Sequence, residues 1–288
     1  MITTDFKQRI IAAINADSLN YASASKQAIS LDINAAQLSR IKKGDLENVV
    51  SDSKWMSIGR RLGVSITNEK PWNAAETPTF LAVFGQLNDC QANSISAMIC
   101  DIPDIGKTFT ARYFAKNNRN AVYVDGSQTK SKQKFVRQIA KEFGLAHTGR
   151  YVDVYEDLVY YLQSAHKPLV IVDEAGDLDY SAFLELKALW NATEHACGWY
   201  MMGADGLRAK IEAAIDRKKV GYTEIFSRFG SAFLKVSPNV QQDLIEFKKV
   251  QFAKIVKANL GEQTNFSQLY AQTGGSLRKL NALAKNIQ

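Results

Sequence analysis

Two segments of the sequence combine residue types that bind phosphate and metal ions. Residues 101–108 read Asp-Ile-Pro-Asp-Ile-Gly-Lys-Thr and follow the apolar run ISAMIC. An apolar strand, a short loop and a Gly-Lys-Thr that begins a helix form the context of a phosphate-binding loop, or P-loop. There the backbone amides hold phosphate oxygens, Lys107 reaches the β- and γ-phosphates, and Thr108 ligates magnesium. The residues predicted to contact nucleotide are Asp104, Ile105, Gly106, Lys107, Thr108 and Phe109.

The first position of this loop departs from the consensus G-x-x-x-x-G-K-[ST]. The consensus places a glycine where the chain has Asp101, and Asp104 adds a second carboxylate to the loop. A carboxylate near phosphates is electrostatically unfavourable, and a side chain at the glycine position restricts the loop. We therefore expect nucleotide binding with slow hydrolysis. A nucleotide held only as a structural ligand is the alternative.

A second segment ends in two acids and complements the P-loop. The apolar run Leu-Val-Ile-Val at 169–172 leads into Asp173 and Glu174, which is the form of a Walker B strand. In that role Asp173 holds magnesium through water, and Glu174 orients or deprotonates the attacking water. The spacing from Lys107 suits one α/β layer with two intervening crossovers. Together the two motifs predict Mg²⁺-dependent binding and hydrolysis of ATP.

The elements around these motifs alternate between short apolar runs and longer helical stretches. The runs are residues 95–100, 121–125, 168–174, 198–204 and 232–236. Buried runs that alternate with amphipathic helices predict a parallel sheet with helices on both faces. We assign residues 77–238 to this α/β domain and residues 239–288 to a helical segment behind it.

Residues 1–65 show helical spacing and no strand pattern, and they resemble the repressor-type helix-turn-helix family. The residues that carry the resemblance are Ala28, Ile33, Leu38, Ser39, Ile41, Lys43, Gly44, Ile58, Leu62 and Gly63. The resemblance makes Ala35 to Lys43 a DNA-recognition helix, in which glutamine suits adenine, arginine suits guanine, and serine and lysine suit phosphates. The candidate DNA contacts are Gln37, Ser39, Arg40, Lys42 and Lys43. A bundle that docks protein is the alternative, and residues 66–76 are predicted to be a linker.

The charge of the chain is concentrated at its two ends. The 36 Lys and Arg residues exceed the 29 Asp and Glu residues, so the formal net charge is +7. Residues 247–288 contain seven cations and one anion, and residues 1–65 contain nine cations and six anions. This distribution indicates a central enzymatic core between two modules that face anions. No apolar run is long enough to span a membrane, and three cysteines without CxxC spacing favour a reducing cytoplasm.

Nearly the whole chain resembles the AAA+ ATPases that regulate DNA transposition, a group that includes phage Mu transposition protein B. The matching segments are WNAAETPTFLAVF, the P-loop, the Walker B strand, the strand that ends at Gly203, GYTEIFSRFGSAF and GGSLRKL. The resemblance implies that Arg228 reaches the γ-phosphate of a neighbouring subunit. It also implies that Arg278 is the sensor-2 arginine of a helical lid. Ala204 stands where the family places a polar sensor-1 residue.

The resemblance also implies partners. In this family ATP drives assembly of a ring or helical filament on duplex DNA, and hydrolysis, often stimulated by the transposase, dismantles it. The expected partners are thus duplex DNA, a transposase and further copies of the chain, with no membrane. Candidate DNA contacts in the ATPase domain are Lys130, Lys132 and Lys134, for which a solvated helix start is the alternative. A DNA-binding regulator with structural nucleotide and a helicase- or initiator-loading ATPase are the competing functions.

Overall fold

The computed structural model describes residues 2–66, 72–261 and 264–287, so residues 67–71 of the predicted linker lie outside the described residues. The chain begins with a helical module of α1 (Thr4–Asp17), α2 (Ala24–Ser30), α3 (Ala35–Lys42) and α4 (Asp52–Leu62), with a 3-10 turn at Ser18–Asn20. This module has its own apolar core around the fully buried Trp55 and Ile10. Gly63 ends α4 in the left-handed region, as glycine does at many helix C-termini.

The central domain contains a parallel sheet. Its elements are α5 (Pro78–Asn93), β1 (Ser96–Cys100), α6 (Lys107–Asn117), β2 (Ala121–Asp125), α7 (Lys132–Glu142), α8 (Tyr151–Ser164), β3 (Leu169–Asp173), a 3-10 turn (Ala175–Asp177), α9 (Tyr180–Ala192), β4 (Gly198–Gly203), α10 (Asp205–Asp216) and α11 (Tyr222–Arg228). The strands are ordered β1-β4-β3-β2, and every pair is parallel. This architecture confirms the predicted α/β class.

Helices cover both faces of the sheet, as the apolar runs predicted. Val170 and Val172 of β3 pack with the helices from α7 to α11. Leu169 and Ile171, which alternate with them, pack with α5 and α6 on the other face. All five residues of β3 are buried. The carboxyl end of this strand is thereby fixed in the middle of the domain, which is where a parallel sheet presents a ligand site.

The run predicted at 232–236 forms less strand than expected. Leu234 donates to the Met98 carbonyl at 2.8 Å and accepts from the Cys100 amide at 3.0 Å, which makes one parallel bridge beside β1. The pairing stops there because the next amides that could extend it, those of Val236 and Ser237, donate to the carboxylate of Asp101. A side chain therefore replaces the backbone acceptors that a longer strand would use.

Three further helices follow the sheet: α12 (Gln241–Leu260), α13 (Phe266–Thr273) and α14 (Leu277–Ile287). Their core joins Phe252, Val256, Leu269 and Leu280. Asn259 of α12 accepts from the Asn73 amide at 2.7 Å and so fastens the extended segment before α5 to this lid. In the described ranges, no helix is both long enough and apolar enough to cross a membrane.

The helical module packs against α7 and α8 through α2 and α4. The Lys26 amine of α2 lies 3.9 Å from the ring centroid of Tyr161, and Arg61 of α4 pairs with Glu142 at 2.8 Å. Gly144, just after α7, lies against the backbone of Lys26. The outward side of α3 takes no part in these contacts and stays exposed.

Replacing Gly144 with alanine should loosen this packing. An added Cβ would lie 2.2 Å from the Lys26 carbonyl oxygen, in a residue whose φ is +69°. We expect about 1 kcal/mol of destabilisation from the backbone conformation and a further 1–3 kcal/mol, roughly, from the clash. Gly149→Ala is the matched control, since its φ is +93° but no atom lies within 4 Å of the added carbon. Equal losses of thermal stability in the two variants would contradict this account of the contact.

Candidate nucleotide-binding site

A cleft opens between the carboxyl ends of the strands and the lid. Its volume is about 240 Å³, and its lining includes Trp72, Phe80, residues 103–110, Asp173, Glu174, Gly203, Ala204, Ile255, Leu277, Arg278 and Asn281. Every residue predicted to contact nucleotide or metal therefore lines one cavity. Glu174 lies there too, whereas Arg228 and the predicted DNA contacts do not. One wall is apolar, and the opposite wall carries the P-loop.

The P-loop wraps the start of α6 in the geometry that phosphate binding requires. Gly106 has a φ of +98°, which a residue with a side chain rarely adopts, and α6 begins at the next residue. The Lys107 amine donates to the carbonyl oxygens of Asp101 and Ile102, each at 2.7 Å. Burial lowers the pKa of Lys107, while the carboxylates of Asp101 and Asp173 oppose that shift. The loop thus holds a buried amine beside free helix N–H groups, which suits an anion.

The Asp101 carboxylate does not face the cleft, contrary to the expectation that it would lie near the phosphates. It is fully buried and accepts from the amides of Ile102, Val236 and Ser237 and from the Ser237 hydroxyl. Burial by itself would raise the pKa of Asp101, but the hydrogen bonds from Ser237 and the backbone amides bring it below its usual value. The side chain therefore points away from the cleft, and four donors compensate its charge.

Asp104 joins the loop to the lid. Its φ is +61°, and its carboxylate accepts from the Ser276 hydroxyl at 2.7 Å and from the Arg278 amide at 3.1 Å. The guanidinium Nε of Arg278 lies 3.9 Å from the same carboxylate. Arg278 is otherwise well exposed, so its side chain reaches the mouth of the cleft from the start of α14.

The Walker B carboxylate is set in a network of donors. Asp173 is buried, and its Oδ2 accepts from the Thr108 hydroxyl at 2.7 Å and the Tyr123 hydroxyl at 2.9 Å. Its Oδ1 accepts from the Glu174 amide at 2.9 Å. A hydroxyl and a carboxylate in contact at a cleft are the hard oxygen ligands that magnesium prefers. The residues present therefore fit the predicted ion.

Glu174 stands at the end of β3 in the left-handed region, with a φ of +46°. Burial, and then the negative charges of Asp173 and Asp177, raise the pKa of its carboxyl group. Gly126 permits the close approach of the neighbouring strand end, since a Cβ there would lie 2.7 Å from the Glu174 carbonyl oxygen. Glu174 thus has an accessible carboxyl group at the cleft, with a pKa shifted in the direction that favours a general base.

Tyr123 was not anticipated from the sequence. It is the one polar side chain in the run AVYVD before the terminal Asp125, and its hydroxyl contacts Asp173 on the adjacent strand. The guanidinium carbon of Arg112 lies 4.9 Å from the centroid of its ring. A polar residue inside an otherwise apolar strand was the available signal, although the sequence alone does not identify its partner.

Arg228 lies away from the cleft of its own chain. It ends α11 and places its guanidinium carbon 5.2 Å from the Trp190 ring centroid. Trp190 in turn donates to Ser96, at the amino end of β1, whereas the cleft is at the carboxyl ends of the strands. Within the described part of the chain, its buried Nη1 has no hydrogen-bond acceptor. Arg228 therefore does not line the cleft of its own chain.

The three predicted lysines after β2 differ in their surroundings. Lys132 pairs with the buried Glu185 at 3.0 Å, and Lys130 lies 3.9 Å from Asp177. Lys134 is exposed and has no ion pair among the described residues. Glu185 also accepts a hydrogen bond from the Tyr151 hydroxyl, which fixes the carboxylate. The ion pair with this fixed carboxylate holds Lys132 against the domain.

The predicted recognition helix forms as α3, and its side chains divide into two groups. Gln37 completes a capping box with Asn34 and donates to the Val49 carbonyl at 3.2 Å, so both ends of its amide are used within the module. Arg40 pairs with Asp45 at 2.6 Å but stays half exposed. Ser39 and Lys43 are exposed, and Lys42 is partly buried. Gln37 therefore fixes the start of the helix, and the outward surface is formed by the other residues.

Comparisons with known proteins agree with this geometry. Residues 96–211, which contain both the P-loop and the Walker B strand, match the family described as AAA domain. Over 210 residues the chain is 26% identical to the Mu-like prophage FluMu DNA transposition protein B of Haemophilus influenzae. The similarity covers 71% of this chain and 69% of that protein. Residues 96–211 therefore contain an AAA domain, and most of the chain is similar to a DNA transposition protein B.

Proposed function

We propose that this protein is an ATP-dependent DNA-binding ATPase that assembles on duplex DNA, selects target DNA and recruits or activates a transposase. The observation that carries the proposal is the meeting of Lys107, Thr108, Asp173, Glu174 and Arg278 at one cleft. The similarity to a prophage transposition protein B supports the pathway. In this proposal residues 1–65 contact DNA, residues 77–238 bind and hydrolyse ATP, and residues 239–288 form the lid.

The chemistry follows from the side chains of the cleft. The base would lie against the apolar wall, and Lys107 would bind the β- and γ-phosphates. Thr108 and Asp173 would hold magnesium, which supplies positive charge to the β- and γ-phosphate oxygens when bound. Glu174 would accept the proton of the attacking water, for which its raised pKa suits it. Arg278 would complete the site from the lid.

Assembly would couple to the nucleotide through Arg228. Its position at the amino end of β1 excludes a contact with its own cleft, and its Nη1 lacks an acceptor in the described chain. A γ-phosphate shared by Lys107 of one subunit and Arg228 of the next makes association depend on ATP. The α3 surface of each subunit then adds weak phosphate contacts along the duplex.

The test is a comparison of DNA binding with and without a non-hydrolysable ATP analogue. We expect the analogue and magnesium to raise DNA affinity and to produce rings or filaments visible by electron microscopy. The proposal would be overturned if the analogue changed neither the DNA affinity nor the oligomeric state. If nucleotide binds but neither property changes, the remaining function is that of a DNA-binding regulator with a structural ligand.

The contribution of α3 has its own expected result. Arg40→Ala combined with Lys43→Ala should weaken DNA binding about tenfold and lower the slope of log affinity against log salt by about two, roughly one for each cation removed from the DNA-binding surface. Lys116→Ala combined with Arg217→Ala removes the same charge from exposed sites outside the helical module. Fluorescence anisotropy over a salt series measures both quantities. Equal losses in the two double variants would instead indicate a bulk charge effect.

A further inference from the structure

One buried carboxylate connects the P-loop to the chain segment that leads into the lid. Asp101 Oδ2 accepts from the amides of Val236 at 2.7 Å and Ser237 at 2.8 Å. Its Oδ1 accepts from the Ser237 hydroxyl and, at 2.7 Å, from its neighbour Ile102. Val236 and Ser237 lie 135 and 136 residues after Asp101 in the chain. The contact therefore joins two distant segments.

The same residue also holds the phosphate-binding lysine. The carbonyl oxygen of Asp101 accepts from the Lys107 amine at 2.7 Å, and its amide donates to the Gly203 carbonyl at the end of β4. Asp101 is thus bonded to the lysine by its backbone and to the lid connection by its side chain. A glycine at this position, as in the consensus loop, would keep only the first of these links.

The acceptor capacity of this carboxylate is fully used. A carboxylate has about four acceptor sites, and four donors contact Asp101 while none of its surface is exposed. Hydrogen bonds to a buried charge are stronger than those between neutral groups. An asparagine has the same shape but offers one acceptor oxygen, so its amino group would face a donor.

A second aspartate of the loop contacts the far end of the lid. Asp104 accepts from Ser276 and from the Arg278 amide at the start of α14. Asp101 contacts the lid where the chain enters it, four residues before α12 begins at Gln241. The P-loop is therefore fastened both to the segment that leads into the lid and to the start of α14, and the carboxylate in place of the consensus glycine makes the buried contact of the two.

We propose that Asp101 is a positioning residue that makes the P-loop and the lid move as one unit. Nucleotide binding at Lys107 then restricts the motion of α12–α14 as well as that of the loop. This rests on the proposed function to the extent that the loop binds nucleotide. The connection itself exists without nucleotide, and its two parts are tested separately.

The test uses the full-length chain with Asp101→Asn, Ser237→Ala and, as a matched control, Asp216→Asn, which changes an exposed carboxylate at the end of α10. Hydrogen–deuterium exchange is followed with and without ADP, and ADP affinity is measured with a fluorescent analogue. In wild type, ADP should protect both the P-loop and the lid. Without ADP, Asp101→Asn should raise exchange at residues 236–237 about tenfold, which corresponds to about 1.4 kcal/mol. With ADP it should keep P-loop protection and lose much of the lid protection, although the Asp104 contact with α14 remains.

Ser237→Ala removes one donor and keeps the buried charge, so it should show the same pattern in smaller degree even if Asp101→Asn folds poorly. The inference is overturned if either variant keeps ADP-dependent lid protection at the wild-type level. It is also overturned if exchange at residues 236–237 is unchanged without ADP. Absence of ADP binding to the wild type would refute the proposed function instead, and the exchange measured without nucleotide would still decide whether Asp101 fastens the lid connection.

Discussion

Lys107→Ala should strongly reduce ATP hydrolysis and weaken nucleotide binding. The Lys107 amine is buried, and its two present acceptors are backbone carbonyls of its own loop. A phosphate is a stronger acceptor for an ammonium group, and removing the amine leaves the phosphate charge uncompensated in a partly enclosed cleft. We expect hydrolysis to fall by about 100–1,000-fold, the range found when a transition-state donor is removed. Steady-state turnover and equilibrium titration with a fluorescent nucleotide measure the two effects.

The matched control for this variant is Lys116→Ala, near the other end of the same helix. Lys116 is exposed and lies outside the cleft. Its replacement removes the same charge from the same helix as Lys107→Ala does. Turnover and affinity should remain within about twofold of wild type, as expected of surface substitutions. Retained hydrolysis in Lys107→Ala would show that the cleft is not the hydrolytic site.

Glu174→Gln should separate binding from hydrolysis. The amide keeps the size of the side chain but cannot accept a proton, so hydrolysis should fall by about 100–10,000-fold while nucleotide affinity is retained. Complexes formed with ATP should then persist on DNA, because the step proposed to dismantle them is blocked. A pre-steady-state assay for phosphate release, with a filter-binding assay for nucleotide, distinguishes this result from a loss of binding.

The pH dependence of hydrolysis follows from the same carboxyl group. Burial and the neighbouring charges raise the pKa of Glu174, so the ionised base is lost at a higher pH than for an ordinary glutamate as the solution is acidified. Asp177 contributes one of those charges and is half exposed. Asp177→Asn should therefore keep the maximal rate and move the acid limb of the profile to lower pH. An acid limb that stays in place would remove Glu174 from the role of base.

The sheet and the phosphate site could be predicted because their signals are local. The Walker B run is buried on both faces and so contains consecutive apolar residues up to Asp173, where the site begins. Gly106 and Lys107 mark the loop because the conformation of one and the chemistry of the other allow few substitutes. These constraints act on neighbouring residues, and a single sequence displays them directly.

What could not be predicted depends on contacts between distant residues. The direction of Asp101 is decided by Ser237, and its side-chain interactions also explain why the 232–236 run forms only one bridge. Gln37 has the residue type of a base-reading contact, yet its amide is used by Asn34 and Val49. Ser237 and Val49, which lie further along the chain, are partners that the sequence did not indicate, and the contact of Gln37 with DNA stays a prediction.

The rest position of Arg228 has a thermodynamic consequence for the subunit alone. Lying over the Trp190 ring, the guanidinium is confined to few rotamers before any partner arrives. A long side chain loses conformational entropy worth about 0.5–1.5 kcal/mol when it is immobilised on binding. Arg228 has already lost part of this entropy in the free chain. A buried N–H without an acceptor further raises the free energy of the isolated subunit. If Arg228 meets the phosphate of a neighbouring subunit, as we propose, that anion would supply the missing acceptor, and part of a favourable enthalpy of association would come from this donor.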